Sequence, residues 1–270
     1  MTNTPAVSGT SSGVNMRFRS IGLLLLLAVP VLAADKKVLL VGQGPDGHPP
    51  STHEYMDGLK VLEGILKSVK GIDITLVKAE GKWENGPELI DRSDAIVLFV
   101  SEGAKWISQD EKRLAAFQRA AKRGAGLSCL HWGMGCKDAE FIDRYLALFG
   151  GCHGGPDRKY QVVETDVTPI EKHPVAVGLA QFKIKEEFYY RLKFVKPEGS
   201  VKAVVTAKID GEAFPVAWSW DRPDGGRSFG FSGLHFHENW KRSEYRRLVG
   251  QGVIWTLKHD LPKAGLTVEN

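Results

Sequence analysis

Short apolar runs alternate with helical stripes along the chain between about residue 37 and residue 130. Each run is five or six residues long and predominantly apolar, which is typical of strands covered on both faces of a parallel sheet. Between the runs, apolar residues recur at helical spacing, as at Leu59, Leu62 and Leu66. This alternation predicts a doubly wound α/β domain. The four predicted strands are Lys37–Val41, Ile72–Val77, Ala95–Val100 and Gly126–Leu130.

Helix signals occupy the segments that follow these strands. Ser108–Glu111 has the spacing of a capping box and predicts a helix that stops at Gly124. A further helix is predicted over Ala139–Phe149, and Ser243 is predicted as the N-cap of the last helix. These helices supply the layers that a doubly wound sheet requires.

The pattern changes after about Tyr160, where strand signals follow one another without long helices between them. The predicted strands are Tyr160–Thr165, Val201–Thr206, Pro215–Trp220 and Ser228–Gly233. Asp221–Gly226 is rich in Asp, Pro and Gly and predicts the turn of a hairpin. We expect these extra C-terminal strands to extend the first sheet, so that residues 34–270 form a single domain.

The beginning of the chain has the pattern of a secretory signal. Met16–Arg19 is basic, Ile21–Leu32 is apolar, and Val31–Ala33 resembles a cleavage site. A membrane anchor is the alternative, but the apolar run is shorter than the roughly 20 residues that span a bilayer. Residues 1–33 are therefore predicted to be a signal peptide with an upstream extension, and the mature protein is expected in the periplasm or outside the cell, without stable membrane attachment.

Composition and charge exclude few classes of function. The formal net charge of +4 gives no reason to expect a nucleic-acid partner. The three cysteines, Cys129, Cys136 and Cys152, are an odd number. In an exported protein this allows one disulfide, for which Cys136 and Cys152 are candidates, whereas buried thiols without special chemistry are an equally good interpretation.

Gly42–Gly47 matches the spacing G-x-G-x-x-G of dinucleotide-binding loops. Because Pro45 and Pro49 interrupt the helix that this fingerprint needs, and no acidic residue follows at the required distance, the match does not predict a nicotinamide site. The segment is better interpreted as a loop that delivers His48 and His53 to the edge of the sheet.

Histidines follow three of the predicted strands. His53 comes after the first strand, His131 after the fourth, and His235 and His237 after the last. Because the carboxyl ends of parallel strands meet at one edge, we expect these four histidines to share one catalytic pocket with Glu54 nearby. Histidine serves in acid/base catalysis and as a ligand for divalent metals such as zinc, and both uses stay open. Further side chains suited to binding a substrate are Tyr55, Trp132, Glu187, Tyr189 and Trp240.

Six segments together resemble the ThuA-like, or trehalose-utilisation, family. They are Lys37–Val41, His48–Tyr55, Gly126–Trp132, Glu186–Tyr190, Pro215–Trp218 and Gly230–His237. The resemblance implies a flavodoxin-like, mostly parallel sheet related to class I glutamine amidotransferases. It also implies a role in the metabolism of disaccharides such as trehalose, or of 3-keto sugars.

The amidotransferase relationship raises the question of a cysteine nucleophile. Those enzymes place Cys at a sharp turn after a strand, in the pattern G-x-C-x-G. Cys129 departs from this pattern and is expected inside the strand, so that His131 takes the exposed position at the turn.

Three functions are compatible with these residues. The chain is interpreted as a sugar-modifying enzyme that uses histidine acid/base chemistry with or without a divalent metal, as a metal-dependent hydrolase of another substrate, or as a non-catalytic carbohydrate-binding protein. Because no nicotinamide site is predicted, sugar oxidation would require a partner dehydrogenase.

Overall fold

The structure is a computed structural model that describes residues 1–10, 13 and 34–268. By their internal contacts, Met1–Ala33 and Ala34–Asn270 form two separate units. The basic, apolar and cleavage segments of the predicted signal peptide lie outside the described residues. No helix in the described part of the chain combines the length and hydrophobicity needed to cross a membrane.

A nine-stranded mixed sheet forms the centre of the domain. Its strand order is β2-β1-β3-β4-β12-β11-β10-β7-β8, in which the first five strands run parallel and the last four antiparallel to their neighbours. The strands are β1 (Lys36–Gly42), β2 (Ile72–Lys78), β3 (Ala95–Phe99), β4 (Gly126–Leu130), β7 (Lys159–Pro169), β8 (Phe182–Tyr190), β10 (Val201–Ile209), β11 (Glu212–Asp221) and β12 (Arg227–Phe231). A small second sheet contains β5 (Gly135–Cys136), β6 (Gly151–Gly154) and β9 (Lys193–Phe194).

Helices cover the parallel half of the sheet on both faces. They are α1 (Tyr55–Lys67), α2 (Gly86–Asp91), α3 (Gly103–Ser108), α4 (Glu111–Lys122), α5 (Ile142–Phe149) and α6 (Ser243–Thr256). Apolar side chains of α1 and α6 pack with Val38 and Leu40 on one face, whereas those of α2 to α5 pack with Leu39 and Val41 on the other. The alternation along β1 therefore produces two cores, and the doubly wound α/β fold predicted from the sequence is confirmed.

Two predicted helix starts are wrong by one or two residues. The N-cap of α4 is Asp110, whose carboxylate accepts a hydrogen bond from Arg113 N at 2.8 Å, while Ser108 ends the preceding helix. The last helix begins at Ser243 itself, with Arg242 in the capping position. A carboxylate at an N-cap is at least as favourable as a hydroxyl, so local sequence alone does not decide between Ser108 and Asp110.

The C-terminal strands extend the first sheet, as the strand pattern predicts. The hairpin turn at Asp221–Gly226 joins β11 to β12, and β12 lies parallel to β4. The sequence reading missed β8, at the far edge, although Phe182 and Ile184 point inward while Lys183 and Lys185 are exposed. Alternation of this kind is a strand signal. This strand matters for function because it carries Glu187 and Tyr189.

Candidate active site

The turn after β4 presents an imidazole to the centre of the molecule. His131 follows the strand directly, has a φ of 45°, and is fully buried. A positive φ is uncommon for a residue other than glycine and often marks a functional turn. Cys129 lies two residues earlier inside β4, and burial raises the pKa of its thiol to about 12. The expectation that His131, and not Cys129, occupies the turn agrees with this geometry.

Two loops meet over His131 and are tied to one another by backbone contacts. His53 lies in the loop after β1 with a φ of 52°, and its N–H donates to the carbonyl of His235 at 3.0 Å. Thr52 forms an isolated antiparallel bridge with Phe236. Leu234, with a φ of 83°, turns the chain after β12 so that His235 reaches the site. The two loops therefore hold both imidazoles in fixed positions.

Four side chains converge at this point. His53, His131, His235 and Glu187 each offer one atom to a cluster in which all four atoms lie within 4.8 Å of one another. His131 Nε2 is 3.0 Å from His53 Nε2 and 3.3 Å from His235 Nδ1. Glu187 Oε1 is 3.4 Å from His235 Nδ1 and 4.0 Å from His131 Nε2. We call these four residues the histidine cluster.

Hydrogen bonds outside the histidine cluster set the protonation of its two most buried rings. His131 Nδ1 lies 2.8 Å from the carbonyl oxygen of Ser232, and His53 Nδ1 lies 2.9 Å from Asp46 Oδ2. Because a carbonyl and an ionised carboxylate only accept hydrogen bonds, both Nδ1 atoms carry the proton. When both rings are neutral, the two Nε2 atoms, 3.0 Å apart, direct lone pairs at each other, and the Tyr189 hydroxyl, 3.0 Å from His131 Nε2, can donate to one of them. The contact between the two Nε2 atoms is repulsive unless a proton or a cation lies between them.

Asp46 organises the outer side of the cluster. Its carboxylate accepts hydrogen bonds from His53, from the Tyr55 hydroxyl at 2.6 Å, and from His48 Nδ1 at 2.7 Å. Burial opposes ionisation of Asp46, but these hydrogen bonds outweigh it and hold the pKa of the carboxyl well below its usual range. Sequence reasoning missed this residue because Asp46 lies inside the false dinucleotide motif.

Burial favours the neutral form of three rings near the site, those of His131, His235 and His153. Burial, followed by the neighbouring His53 and His235, lowers the pKa of His131 well below its ordinary value. Burial likewise lowers the pKa of His235 to about 4 and that of His153 to about 3. Burial raises the pKa of Glu187. Neutral imidazoles keep a lone pair, which is the form that binds a metal or accepts a proton.

A pocket of about 190 Å³ opens beside the cluster. Trp132, Glu187 and Tyr189, predicted to contact a substrate, all line it. Tyr189 is stacked between His131 and His153, with ring centroids 4.4 Å and 3.9 Å away. Of the consecutive tyrosines only Tyr189 faces the pocket, since Tyr190 packs on Phe214, as strand alternation requires. The remaining lining residues are His48, His53, Lys137, His153, Arg158, Tyr160 and His235.

The structure does not bring His237 or Glu54 into the histidine cluster. The prediction assumed that the chain stays extended, so that His235 and His237 point to the same side. Instead β12 ends at Phe231 and His237 begins a 3-10 helix, so the two side chains are not aligned in this way. Glu54 accepts a hydrogen bond from Ser51 N at 3.1 Å and does not line the pocket. Glu187 is the carboxylate that faces the imidazoles instead.

Two of the predicted substrate-contacting aromatic residues lie elsewhere. Trp240 is buried in the core against Gly58. Tyr55 lies behind His53, where its hydroxyl donates to Asp46. Both are core aromatic residues, the more common role of large aromatic side chains.

Four lining residues escaped the sequence analysis, namely His153, Arg158, Lys137 and Tyr160. They lie in β6, at the start of β7 and in the loops near the small sheet. The sequence offered no local signal for that sheet, because β5 and β9 contain only two residues each.

Comparisons with solved structures agree with this fold. A ThuA-like protein from Bacteroides uniformis has a TM-score of 0.64 and 14% identity, over 85% of this chain and 94% of that one. Protein STM3548 from Salmonella typhimurium has a TM-score of 0.54 and 15% identity, over 82% of this chain and 98% of that one. A β-galactosidase from Rahnella has a TM-score of 0.51 and 12% identity, over 77% of this chain but only 30% of that one. At these identities the likenesses concern the fold alone.

Sequence comparison identifies the family. Among proteins with curated descriptions, none matches this sequence. The family model ThuA, described as trehalose utilisation, matches residues 38–256. That range includes β4 with its turn, the loop of His53, and every member of the histidine cluster. The chain therefore belongs to the ThuA, or trehalose-utilisation, family.

Proposed function

We propose that this protein is an exported, metal-dependent enzyme that modifies a carbohydrate of the disaccharide or 3-keto-sugar class at the histidine cluster. The observation that carries the proposal is the 3.0 Å separation of His53 Nε2 and His131 Nε2, at which two neutral rings with protonated Nδ1 atoms have opposed lone pairs. Lone pairs so placed repel, and burying several polar groups together is unfavourable unless something compensates for them. A divalent cation bound by both rings is the most effective compensation.

The spacing of the four groups supports a tetrahedral ion. With bonds of about 2.0–2.1 Å from zinc to imidazole nitrogen or carboxylate oxygen, adjacent ligand atoms lie about 3.3–3.4 Å apart. The separations of 3.0, 3.3 and 3.4 Å are close to this value, whereas that of 4.0 Å between Glu187 and His131 is longer. Three nitrogens and one carboxylate oxygen suit zinc and similar ions better than calcium or magnesium, which prefer oxygen.

Second contacts of the ligands also fit metal binding. His53 donates its other ring N–H to a carboxylate and His131 donates to a carbonyl, the arrangement that usually orients metal-binding histidines. A cation bound there would polarise an oxygen of the substrate or of a water molecule if it accepted that oxygen as a fifth ligand.

The protein's own groups can move protons beside that oxygen. His48 lines the pocket with its side chain 43% exposed, and Asp46 holds its Nδ1 at 2.7 Å. This orients the ring and leaves Nε2 as the free nitrogen, as in an aspartate-oriented general base. Burial raises the pKa of Tyr189, so its hydroxyl stays protonated. The hydroxyl lies 3.0 Å from His131 Nε2, and it becomes available to a substrate oxygen once a cation takes that lone pair. Trp132 and Tyr189, both nearly buried, limit the access of water to this region.

The metal content of purified protein tests the proposal. We expect about one divalent ion per chain by inductively coupled plasma mass spectrometry, and its loss in a His53→Ala, His131→Ala double variant. His237→Ala is the matched control, because His237 lies outside the cluster, and should keep the ion. A metal-free protein that nevertheless turns over sugar would contradict the metal centre.

The carbohydrate assignment requires a separate screen. Disaccharides such as trehalose and their 3-keto derivatives are compared by turnover and by thermal shift with the metal-loaded protein. Turnover that is absent in the double variant supports the enzyme. Binding without turnover would indicate a carbohydrate-binding protein, and neither binding nor turnover would contradict the carbohydrate class.

Export is tested independently of chemistry. The basic and apolar segments before Ala34 support cleavage near that residue. We expect mass spectrometry of the natural protein from the periplasm or medium to give an N-terminus close to Ala34. Recovery of the intact N-terminus from the cytosol would contradict export.

A further inference from the structure

The lining of the pocket includes a guanidinium that forms no ion pair with the described residues. Arg158 lies between β6 and β7, lines the pocket, and is half-buried. Its Nη1 donates to the carbonyl of Gly155 at 3.1 Å. Within the described residues, no carboxylate pairs with this side chain. A guanidinium has five N–H donors, so most of those of Arg158 are available to a ligand.

The cations around Arg158 differ from it in this respect. Lys193 is paired with Asp157 at 2.8 Å, and Lys137, on the same pocket, lies 3.5 Å from Glu102. Glu187 is the only carboxylate among the described residues that line the pocket, and it faces the imidazoles. The pocket therefore has a positive rim, and Arg158 is the group in it with unsatisfied charge.

Electrostatic effects on a neighbour show that this charge reaches the interior of the pocket. His153 has its pKa lowered by burial first, and then by the positive charges of Arg158 and Lys193. His153 is 2% exposed and stacks on Tyr189. An anion at this position would meet a favourable potential in a partly desolvated site, where charge pairs are stronger than in water.

An exposed aromatic ring stands next to the guanidinium. Tyr160 is 56% exposed, which is unusual for a tyrosine beside a pocket. Its ring meets Tyr189 edge-on at 6.4 Å and His153 at 6.3 Å, so one face stays open to solvent. An apolar face with a polar tip is suited to a sugar ring.

From these contacts we infer that the pocket is built for an acidic sugar, whose anionic substituent pairs with Arg158 while its ring packs on Tyr160. A carboxylate, as in a uronic or aldonic acid, matches the planar fork of a guanidinium in a bidentate manner. A sugar phosphate shares the same charge chemistry. The inference rests on the proposed carbohydrate function and names the class of substrate for the same site.

Binding measurements with matched sugars test the inference. Glucose, glucuronate, gluconate and glucose 6-phosphate are titrated into metal-loaded protein by calorimetry at low salt. We expect at least one acid to bind about 10-fold or more tightly than glucose, because a hydrogen bond to a charged group is stronger than one between neutral groups. Raising the salt concentration should reduce this preference. Whether the carboxylates or the phosphate bind more tightly identifies the source of the charge.

Variants separate Arg158 from general effects of charge. Arg158→Gln should abolish the preference for acids, measured as the ratio of the affinities for acid and for glucose, while Arg158→Lys should keep part of it. Arg144→Gln removes an exposed arginine of α5 that pairs with Glu111 and serves as the control. Tyr160→Ala should weaken acids and glucose alike, by about 2- to 10-fold.

The outcomes distinguish this inference from the proposed function. Equal affinity for glucose and the acids, or no effect of Arg158→Gln, would overturn the acidic-sugar inference and leave the carbohydrate function intact. If neither this panel nor the disaccharides and 3-keto sugars bind to metal-loaded protein, the carbohydrate function itself fails.

Discussion

Two consecutive glutamates of β8 occupy opposite sides of the sheet and have opposite surroundings. Glu186 is fully buried, and its carboxylate accepts hydrogen bonds from Leu234 N at 2.8 Å, Glu187 N at 2.8 Å and Asn239 Nδ2 at 3.0 Å. Glu187 faces the imidazoles of His235 and His131 at 3.4 Å and 4.0 Å. Burial raises the pKa of both, in the case of Glu186 to about 7.

The difference shows how a structural carboxylate can be told from one arranged for a ligand. Glu186 is saturated with protein donors, which is what stability requires of a buried polar group. Glu187 lies 4.0 Å from His131 Nε2 and 3.4 Å from His235 Nδ1, and the partner that we propose for these three groups is the cation. Both carboxylates act on one loop, since Leu234 contacts Glu186 and His235 contacts Glu187. The hydrogen bonds of Glu186 therefore fix the loop that carries His235, the residue that faces Glu187.

The largest predicted effect comes from removing the imidazole of His131, at the centre of the histidine cluster that Glu187 faces. His131→Ala should lower activity by roughly 1,000-fold or more and abolish metal binding, because His131 Nε2 contacts both His53 and His235. The free energy of unfolding of the metal-free protein should fall by about 1–3 kcal/mol, because the packing lost with a fully buried ring is partly offset by the removal of a repulsive contact. Metal content, turnover and urea unfolding measure the three quantities. A variant that unfolds without metal but keeps its activity would reverse this interpretation.

The matching change on the saturated side should affect stability instead. Glu186→Ala leaves three buried donors without an acceptor and should lower the free energy of unfolding by about 3 kcal/mol. Glu187→Ala is the natural control, with a loss below about 1 kcal/mol but with loss of the metal. Urea denaturation of both variants provides the comparison. Equal losses of stability would mean that the two carboxylates do not differ in role.

Much of this comparison could not be obtained from the sequence. The parallel half was predictable, because the apolar runs of β1, β3 and β4 and the helical stripes between them are local signals. The convergence of His53, His131 and His235 was predictable from the same topology, because each follows a strand whose carboxyl end lies at one edge. The edge strand β8 pairs with β7, the strand that precedes it in the chain, and the sequence does not show which side chains of β8 lie near the turn after β4.

Loop direction was the second unpredictable feature. The loop after β1 folds back through positive φ values at Gly47, Ser51 and His53, and this places Asp46 beside the ring of His53. Such conformations depend on tertiary contacts as well as on residue type. The same limit explains His237, whose assignment to the pocket assumed extended backbone where the chain forms a 3-10 helix.

A substitution of Asp46 should weaken the metal site without abolishing it. Asp46→Asn removes the charge that orients His53 and should weaken metal affinity by about 10- to 100-fold, the usual effect of losing a partner behind a metal ligand. Competition with a chelator measures this affinity. Asp57→Asn is the control, since Asp57 is 54% exposed and pairs with Lys60. An unchanged affinity in Asp46→Asn would show that Asp46 does not support the cluster.

The dependence of stability on pH examines a histidine of the pocket wall. His153 has its pKa lowered from its ordinary value of 6.5 to about 3, so between these values the unfolded chain binds a proton that the folded protein excludes. Its contribution to stability is therefore complete above pH 6.5 and is lost as the pH falls. Because of His153, the free energy of unfolding should fall by about 2 kcal/mol between pH 8 and pH 5. This fall should be absent in His153→Phe, which keeps an aromatic ring against Tyr189. Urea unfolding at both pH values measures the free energy of unfolding. The same change with pH in the parent protein and in His153→Phe would contradict the lowered pKa of His153.

The smallest effect is predicted for the thiol beneath the turn. Cys129 is fully buried in β4, its Sγ faces the carbonyl of Phe229 at 3.8 Å, and burial raises its pKa to about 12. A thiol that is neither ionised nor accessible does not act as a nucleophile. Cys129→Ser should therefore keep activity per folded molecule within about 2-fold, because the imidazole of His131 faces the site and the thiol does not. Activity is measured together with the intact mass of protein treated with an electrophilic substrate analogue. Loss of activity with the fold preserved, and an adduct on Cys129 in the parent protein, would move the chemistry from the imidazoles to the thiol.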